Sequence, residues 1–520
     1  MSETGIRFPG GVARTNPDKT AVVMAGSGDS ITFAQLDAAA NRLARTYRDL
    51  GLGPQAHMVA CLENRIEFPQ IAWGAHYAEL SYTFASTRLT PGELAYIVFD
   101  SGSRVVVLSD QVATTADELR AELAVLGVGP GGDDIRIVGV EELFELAASQ
   151  SASPLDDARE GADMLYSSGT TGRPKGVKRP FTGQPLGTTL TVGLLGQLLM
   201  GLSDGSVYLS PAPMYHAAPL RWTQESIALG ATAIIMERFE PELLLAAVET
   251  FRVTHAQFVP TMFVRLLKLP DEVKARYDVS SLQGALHAAA PCPPDVKRAM
   301  IDWWGPVIYE YYAGTEGQGL CWCTSEEWLA HPGSVGKAIV GQVHIVSAET
   351  GEELPVGEEG LVYFGGGGAF EYHNDPDKTA SVHTAEGWST LGDIGRLDAD
   401  GFLYLTDRQS NMIITGGVNV YPQEAENLLA AHPAVLDVAV IGVPNEDFGE
   451  EVKAIVLLAD GYAPTPELAD ELIAHCRTHL ADVKCPRTVE FRDELPRTPT
   501  GKLLKRLLRD EFWAGHDARI

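Results

Sequence analysis

The sequence is short of cysteine, of positive charge and of long apolar runs. Its six cysteines, Cys61, Cys292, Cys321, Cys323, Cys476 and Cys485, are scattered along the chain. Cys321 and Cys323 form a C-x-C, but no second cysteine pair or histidine pair completes a zinc site. Free buried thiols in a reducing, cytoplasmic setting are expected. Acidic residues outnumber basic ones, giving a formal net charge of -29, which speaks against nucleic-acid binding. No apolar run approaches the roughly eighteen residues of a membrane span. Residues 1–16 lack the basic-then-apolar pattern of a signal peptide. The P-loop consensus G-x-x-x-x-G-K-[ST] is missing too, because Lys175 is followed by Gly176.

What the chain does have is a different anion loop. Residues 166–176 read Y-S-S-G-T-T-G-R-P-K-G. Gly169, Gly172 and Gly176 let a polyanion approach the backbone, and free N–H groups in such a loop form an anion-binding nest. Ser167, Ser168, Thr170 and Thr171 add hydroxyl donors, Arg173 and Lys175 add charge, and Pro174 stiffens the exit. The pattern reads as a phosphate cradle.

At 520 residues the chain exceeds one core, so two or more domains are expected. Thr32–Gln35 is a capping box, followed by Phe33, Leu36, Ala40, Leu43 and Tyr47 at helical spacing. Strand-like runs at 104–109 and 231–236 alternate with helical stretches at 241–251 and 295–303. That alternation indicates an α/β fold with largely parallel sheets, whose phosphate ligands sit at the carboxyl ends of strands. The cradle follows the apolar run 164–166, as this requires. After Gly401 the texture changes. A short run at 402–406 precedes Asp407-Arg408. Beyond them come a helix at 422–431, strands at 438–443 and 452–458, a helix at 465–480 and a strand at 488–491. A boundary at Arg408–Ser410 would divide a large domain, 1–408, from a small α+β domain, 409–520. The glycine run 365–368 reads as a turn beside a sheet edge. Lysines and arginines crowd residues 477–509, a local basic region in an acidic chain.

Four further motifs accompany the cradle: Y-A-G-T-E at 312–316, S-T-L-G-D at 389–393, Asp407-Arg408, and P-T-G-K at 499–502. In this order they resemble the adenylate-forming superfamily of acyl-CoA synthetases, firefly-type luciferases and nonribosomal peptide adenylation domains. The resemblance runs from Thr32 to Arg509. The texture is similar to bacterial fatty-acyl- and steroid-type CoA ligases, through P-A-P-M-Y-H-A-A-P-L-R at 211–221 and M-I-I-T-G-G-V-N-V-Y-P-Q-E at 412–424.

The resemblance implies two half-reactions, in which ATP and a carboxylic acid give an acyl-adenylate and a thiol, usually coenzyme A, then displaces AMP. It implies that Ser167, Ser168, Gly169, Thr170, Thr171, Gly172 and Lys175 hold the β- and γ-phosphates. Thr315 would bond the α-phosphate, Glu316 would bind Mg²⁺, and Tyr312 would stack on adenine. Asp393 and Arg408 would hold the ribose. Lys502 would bridge the carboxylate and the α-phosphate. His216 would gate an acyl pocket lined by Ala217, Ala288, Ala289 and Gly314. No Asp lies between Met214 and Trp222 to pair a substrate ammonium, so the expected acid is hydrophobic rather than an α-amino acid. The C-terminal domain would rotate about Ser410, exchanging Lys502 for the Gly416-Gly417 loop.

Two departures from relatives stand out. Ser410-Asn411 replaces a charged hinge, and Glu79 and Phe84 stand where a glycine and a proline are usual. The motifs leave the acceptor open between CoA and an amine, which would make an amide ligase. A monomer or homodimer is expected.

Overall fold

The structure, a computed structural model, describes residues 7–128, 135–167, 174–368, 370–416, 418–445, 447–497 and 503–514. It is an α/β protein that divides into two compact units. The first comprises residues 1–258, 268–286 and 370–379, the second 259–267, 287–369 and 380–520.

In the first unit the strands Ser81–Ala85, His57–Cys61, Val105–Leu108 and Arg136–Gly139 run parallel, with Ala162–Ser167 parallel on the other flank. His57–Cys61, Ser81–Ala85 and Val105–Leu108 are buried along their whole length, as parallel strands covered on both faces require. A second parallel set orders His255–Phe258, Val207–Ser210, Thr232–Ile235 and Thr20–Met24. The runs expected at 104–109 and 231–236 are thus central strands. The helix Phe33–Asp49 starts at the expected capping box, with Gln35 N donating to Thr32 Oγ1 at 3.2 Å and Thr32 N to Gln35 Oε1 at 2.8 Å. It buries Phe33, Leu36, Ala40, Leu43 and Tyr47.

The Glu79 and Phe84 departures are absorbed here. Glu79 takes φ +58°, a left-handed backbone that normally favours glycine. Phe84 stacks on Phe68 with ring centroids 4.3 Å apart, filling volume that a proline would leave open.

The second unit is mostly antiparallel. One sheet orders Gln342–Val346, Gly360–Gly365, Ser389–Leu397 and Leu403–Arg408. Beyond Arg408 the chain builds its own core from Ile413, Val420, Leu429, Val440, Val452 and Leu472, among others. Here the hairpin strands Val435–Asn445 and Gly449–Leu458 are longer than the hydrophobic pattern indicates. Their ends carry Pro444, Asn445, Glu450 and Glu451, which periodicity misses and ladder pairing recruits. The helix expected over 465–480 runs Pro466–Arg477, with Thr465 Oγ1 capping Leu468 N. Thr478 forms its C-cap, with Oγ1 donating to His475 O at 2.7 Å, and the backbone turns extended at Ala481, φ -60° and ψ 141°.

All six cysteines are free, and all but the partly exposed Cys292 are buried. The basic tail is largely neutralised locally. Arg477 pairs Asp482, Lys484 pairs Glu424, Arg492 pairs Glu490 and Glu511, Arg497 pairs Asp437, and Lys505 pairs Glu426. Arg487 instead lies over the Phe448 ring at 4.3 Å. No helix among the described residues is long and apolar enough to cross a membrane.

Candidate active site

In the first unit, the strands Ala162–Ser167 and Lys175–Lys178 form an antiparallel hairpin whose last pairs are Tyr166 with Gly176 and Ser167 with Lys175. The expected cradle is therefore the connection between them. Ser168, Gly169, Thr170, Thr171, Gly172 and Arg173 lie outside the described residues, as does the Ser167 side chain. The base of the hairpin is tightly built. Tyr166 Oη donates to Asp100 Oδ2 at 2.6 Å, and His373 N donates to Gly176 O at 2.8 Å. A methyl group on Gly176 would lie 3.1 Å from the Tyr166 ring and 3.3 Å from His373 Cβ, so a larger residue there would press on both side chains. Lys175 Nζ sits 5.5 Å above the Tyr372 ring.

His216 occupies the N-cap of the helix Ala217–Ala228, its backbone extended and its side chain not capping. The imidazole packs against Tyr215, ring centroids 4.6 Å apart. Its Nε2 is buried with no hydrogen-bond partner among the described residues. Burial lowers its pKa to about 4, so the ring is neutral at pH 7. Ala217 follows, half-buried. The turn before His216 is held by a residue the motifs do not mark. Asn64 donates from Nδ2 to Ala212 O at 3.0 Å and to Met236 O at 2.8 Å, and accepts from Met214 N at 2.8 Å.

The second unit assembles the other motif residues. Tyr312, near the end of the strand Ile308–Ala313, donates its hydroxyl to Asp393 Oδ2 at 2.6 Å. Arg408 Nε donates to Asp393 Oδ1 at 2.9 Å. Asp393 and Arg408 face each other across a strand pair. Burial and the Asp393 charge push the Tyr312 hydroxyl well above the usual tyrosine range, so it stays a donor. The Asp393 charge, with Tyr312 and Glu316 adding, raises Arg408 above its ordinary value against the opposing effect of desolvation on this partly exposed side chain.

The turn after Ala313 holds Gly314, Thr315 and Glu316. A methyl group on Gly314 would press on Leu391 and lie 2.7 Å from Glu316 Oε2 and 3.1 Å from Gln318 Oε1. Glu316 thus leans over the Gly314 backbone, where its carboxylate is a hard oxygen donor of the kind Mg²⁺ prefers. The glycine run 365–368, expected as an edge turn, supports this loop. Gly367 lies so close to the Gln318 carbonyl that a side chain there would collide with it, and Gly368 approaches Gly317 O in the same way. Ala288 is buried at the end of the strand Gly284–His287, and Ala289 takes φ +76°.

At the expected hinge, exposed Ser410 lies in a single 3-10 turn, Gln409–Asn411. Arg509 Nη1 donates to Ser410 O at 2.8 Å. Asn411 Nδ2 and Gln423 N both donate to Asp407, at 2.9 and 3.1 Å. The uncharged Asn411 is therefore a hydrogen-bond partner of Asp407. Lys502 and Gly417 lie outside the described residues. The segment carrying Lys502 leaves from Arg497 and returns at Leu503, which pair in an isolated antiparallel bridge. Arg497 is itself clamped to Asp437 by two hydrogen bonds of 2.5 Å.

The chain is similar to known proteins along most of its length. The family described as AMP-binding enzyme matches residues 11–372, and the AMP-binding enzyme C-terminal domain matches 424–502. The chain is 33% identical to a feruloyl-CoA synthase of Amycolatopsis over 508 residues, covering 96% of this chain and 97% of the relative. It is 31% identical to the long-chain-fatty-acid–CoA ligase FadD13 of Mycobacterium tuberculosis, again covering 96% and 97%. Among solved structures, ATP-bound MatB from Rhodopseudomonas palustris superimposes with a TM-score of 0.80 at 28% identity, covering 96% of this chain and 98% of that one.

Proposed function

This chain belongs to the AMP-binding enzyme family and is an AMP-forming acid–thiol ligase using ATP and CoA; on that premise we propose that its acid is hydrophobic. The observation that carries the site assignment is the Tyr312–Asp393–Arg408 cluster, where one buried carboxylate is oriented by hydrogen bonds from a hydroxyl and a guanidinium. A carboxylate so fixed retains lone pairs for two adjacent ribose hydroxyls, and Tyr312 offers its ring to adenine.

The remaining roles follow from chemistry and position. The cradle from Ser167 to Lys175 takes the β- and γ-phosphates, and Thr315 bonds the α-phosphate. Glu316 would hold Mg²⁺, which would supply positive charge against the phosphates. Lys502 offsets negative charge as the acid carboxylate attacks the α-phosphate and pyrophosphate leaves. CoA thiolate then attacks the acyl carbon, forming the thioester and releasing AMP. Neutral His216 and Ala217, and in the second unit Ala288, Ala289 and Gly314, are the residues assigned to the acid, each of whose buried CH₂ groups contributes about 0.8 kcal/mol. The small domain from 409 turns about Ser410 between the half-reactions, as a hinge absorbing a backbone change need not be charged. The enzyme works in the cytoplasm as a monomer or homodimer.

The test is pyrophosphate release with ATP and Mg²⁺ over medium and long fatty acids, aryl acids and fused-ring acids, each with and without CoA. Release that CoA accelerates, with an acyl-CoA product by mass, is the expected result. Release that CoA leaves unchanged would instead point to an amine acceptor.

A further inference from the structure

Behind the candidate nucleotide site lies a buried ion pair that none of the assigned roles uses. Lys297, in the first turn of the helix Pro294–Trp304, is wholly buried, and its ammonium stands 2.5 Å from Glu310 Oε2. The same ammonium lies 5.2 Å from the Trp328 ring centroid. His287, also fully buried, has its Nε2 3.6 Å from that Glu310 oxygen and its ring edge-on to Phe263 at 5.4 Å. Neither His287 ring nitrogen makes a hydrogen bond among the described residues. Burial, reinforced by the Lys297 charge, lowers its pKa well below the usual value, so it is neutral packing rather than a third charge.

A buried ion pair is poor value for stability, because apolar residues of similar volume often hold a core as well or better. Its position suggests what it is kept for. Glu310 is two residues from Tyr312 on one strand, so both side chains leave the same face. His287 is the last residue before Ala288 and Ala289. Ala289 holds a left-handed backbone, φ +76°, which a non-glycine residue keeps only where the surroundings impose it. The pair thus ties the helix Pro294–Trp304 to the strand carrying Tyr312, and both to the root of the strained Ala289 turn.

We propose that Lys297 and Glu310 are positioning residues for the nucleotide: their ion pair fixes the Tyr312 strand and the Ala289 turn at the spacing that grips adenine. This rests on the assignment of those two segments to the adenine site. Neither residue touches the nucleotide; both act through the segments they hold.

The experiment compares wild type, K297M and the double variant K297M/E310M by thermal denaturation, by calorimetric binding of AMP, and by pyrophosphate release. K297M strands the Glu310 carboxylate and lowers the Tm. The double variant removes both charges and regains most of the Tm. Both variants are expected to bind AMP about tenfold to a hundredfold more weakly, with the kinetic loss in KM for ATP rather than in kcat, as for uniform binding. Wild-type AMP affinity in the double variant would reduce the pair to a structural role and overturn the proposal, as would unchanged affinity in K297M. If K297M does not fold, the double variant decides alone. Failure of the ligase assignment reads differently: wild type would bind AMP yet release no pyrophosphate with any acid.

Discussion

Asp393 and Arg408 stand directly opposite each other on neighbouring antiparallel strands, and Arg408 Nε reaches Asp393 Oδ1 at 2.9 Å. The strand register, not a flexible side chain, sets this spacing. Asp393→Asn keeps the shape but removes the charge that Arg408 answers. Arg408 is about one-third exposed, so the stability loss is modest, about 1 kcal/mol after solvent screening. The larger effect falls on the nucleotide. KM for ATP in the pyrophosphate-release assay rises about tenfold, equivalent to about 1.4 kcal/mol.

Lys502→Ala removes a charge needed mainly as the carboxylate attacks. Loss of one preorganised electrostatic contact costs about 10²–10³ in rate. Adenylate formation falls by that factor while ATP binding by calorimetry persists. An unchanged rate of adenylate formation would remove Lys502 from the mechanism.

Asn64 satisfies two carbonyls and one N–H around the turn that leads into His216. Asn64→Ala leaves these buried groups without their partner. With about 1 kcal/mol for each lost bond, the variant is less stable by about 3 kcal/mol, read from the denaturant midpoint. The acid selectivity profile should broaden as well, because His216 is the next residue but one after Met214.

His216 gives the stability a pH dependence of known sign. Unfolded, a histidine titrates near pH 6.5; folded, burial holds this one at about 4. Its contribution is complete above the unfolded value and is lost as pH falls from about 6.5 towards 4. Between pH 7.5 and pH 5 the loss from this residue is about 2 kcal/mol. His216→Gln should flatten the stability curve by that amount in paired denaturation experiments at the two pH values.

Much of this site is legible in the chain because its signals are local. The capping box at Thr32, the strand before the cradle and the order of the five motifs each need only a short window. The Asp393 and Arg408 motifs are equally plain, yet their pairing through a strand register is not, since nothing near either residue marks the other. Asn64 holds a turn 150 residues away, and Lys297 pairs with Glu310 through a helix–strand contact. A lone asparagine or a lysine in a helix carries no periodic signal. The Glu79 substitution is visible as a departure, but only the backbone angle reveals that the turn keeps its left-handed form. The basic tail reads as free positive charge, whereas carboxylates brought together by folding answer much of it.

The close approach of Gly367 to the Gln318 carbonyl has a consequence for altering this enzyme. The loop 314–319 is backed by bare main chain, so its contour cannot be reshaped by substitution at 367 without displacing the loop itself. A library aimed at new acids would gain nothing from randomising that position, and its surviving clones should carry glycine there.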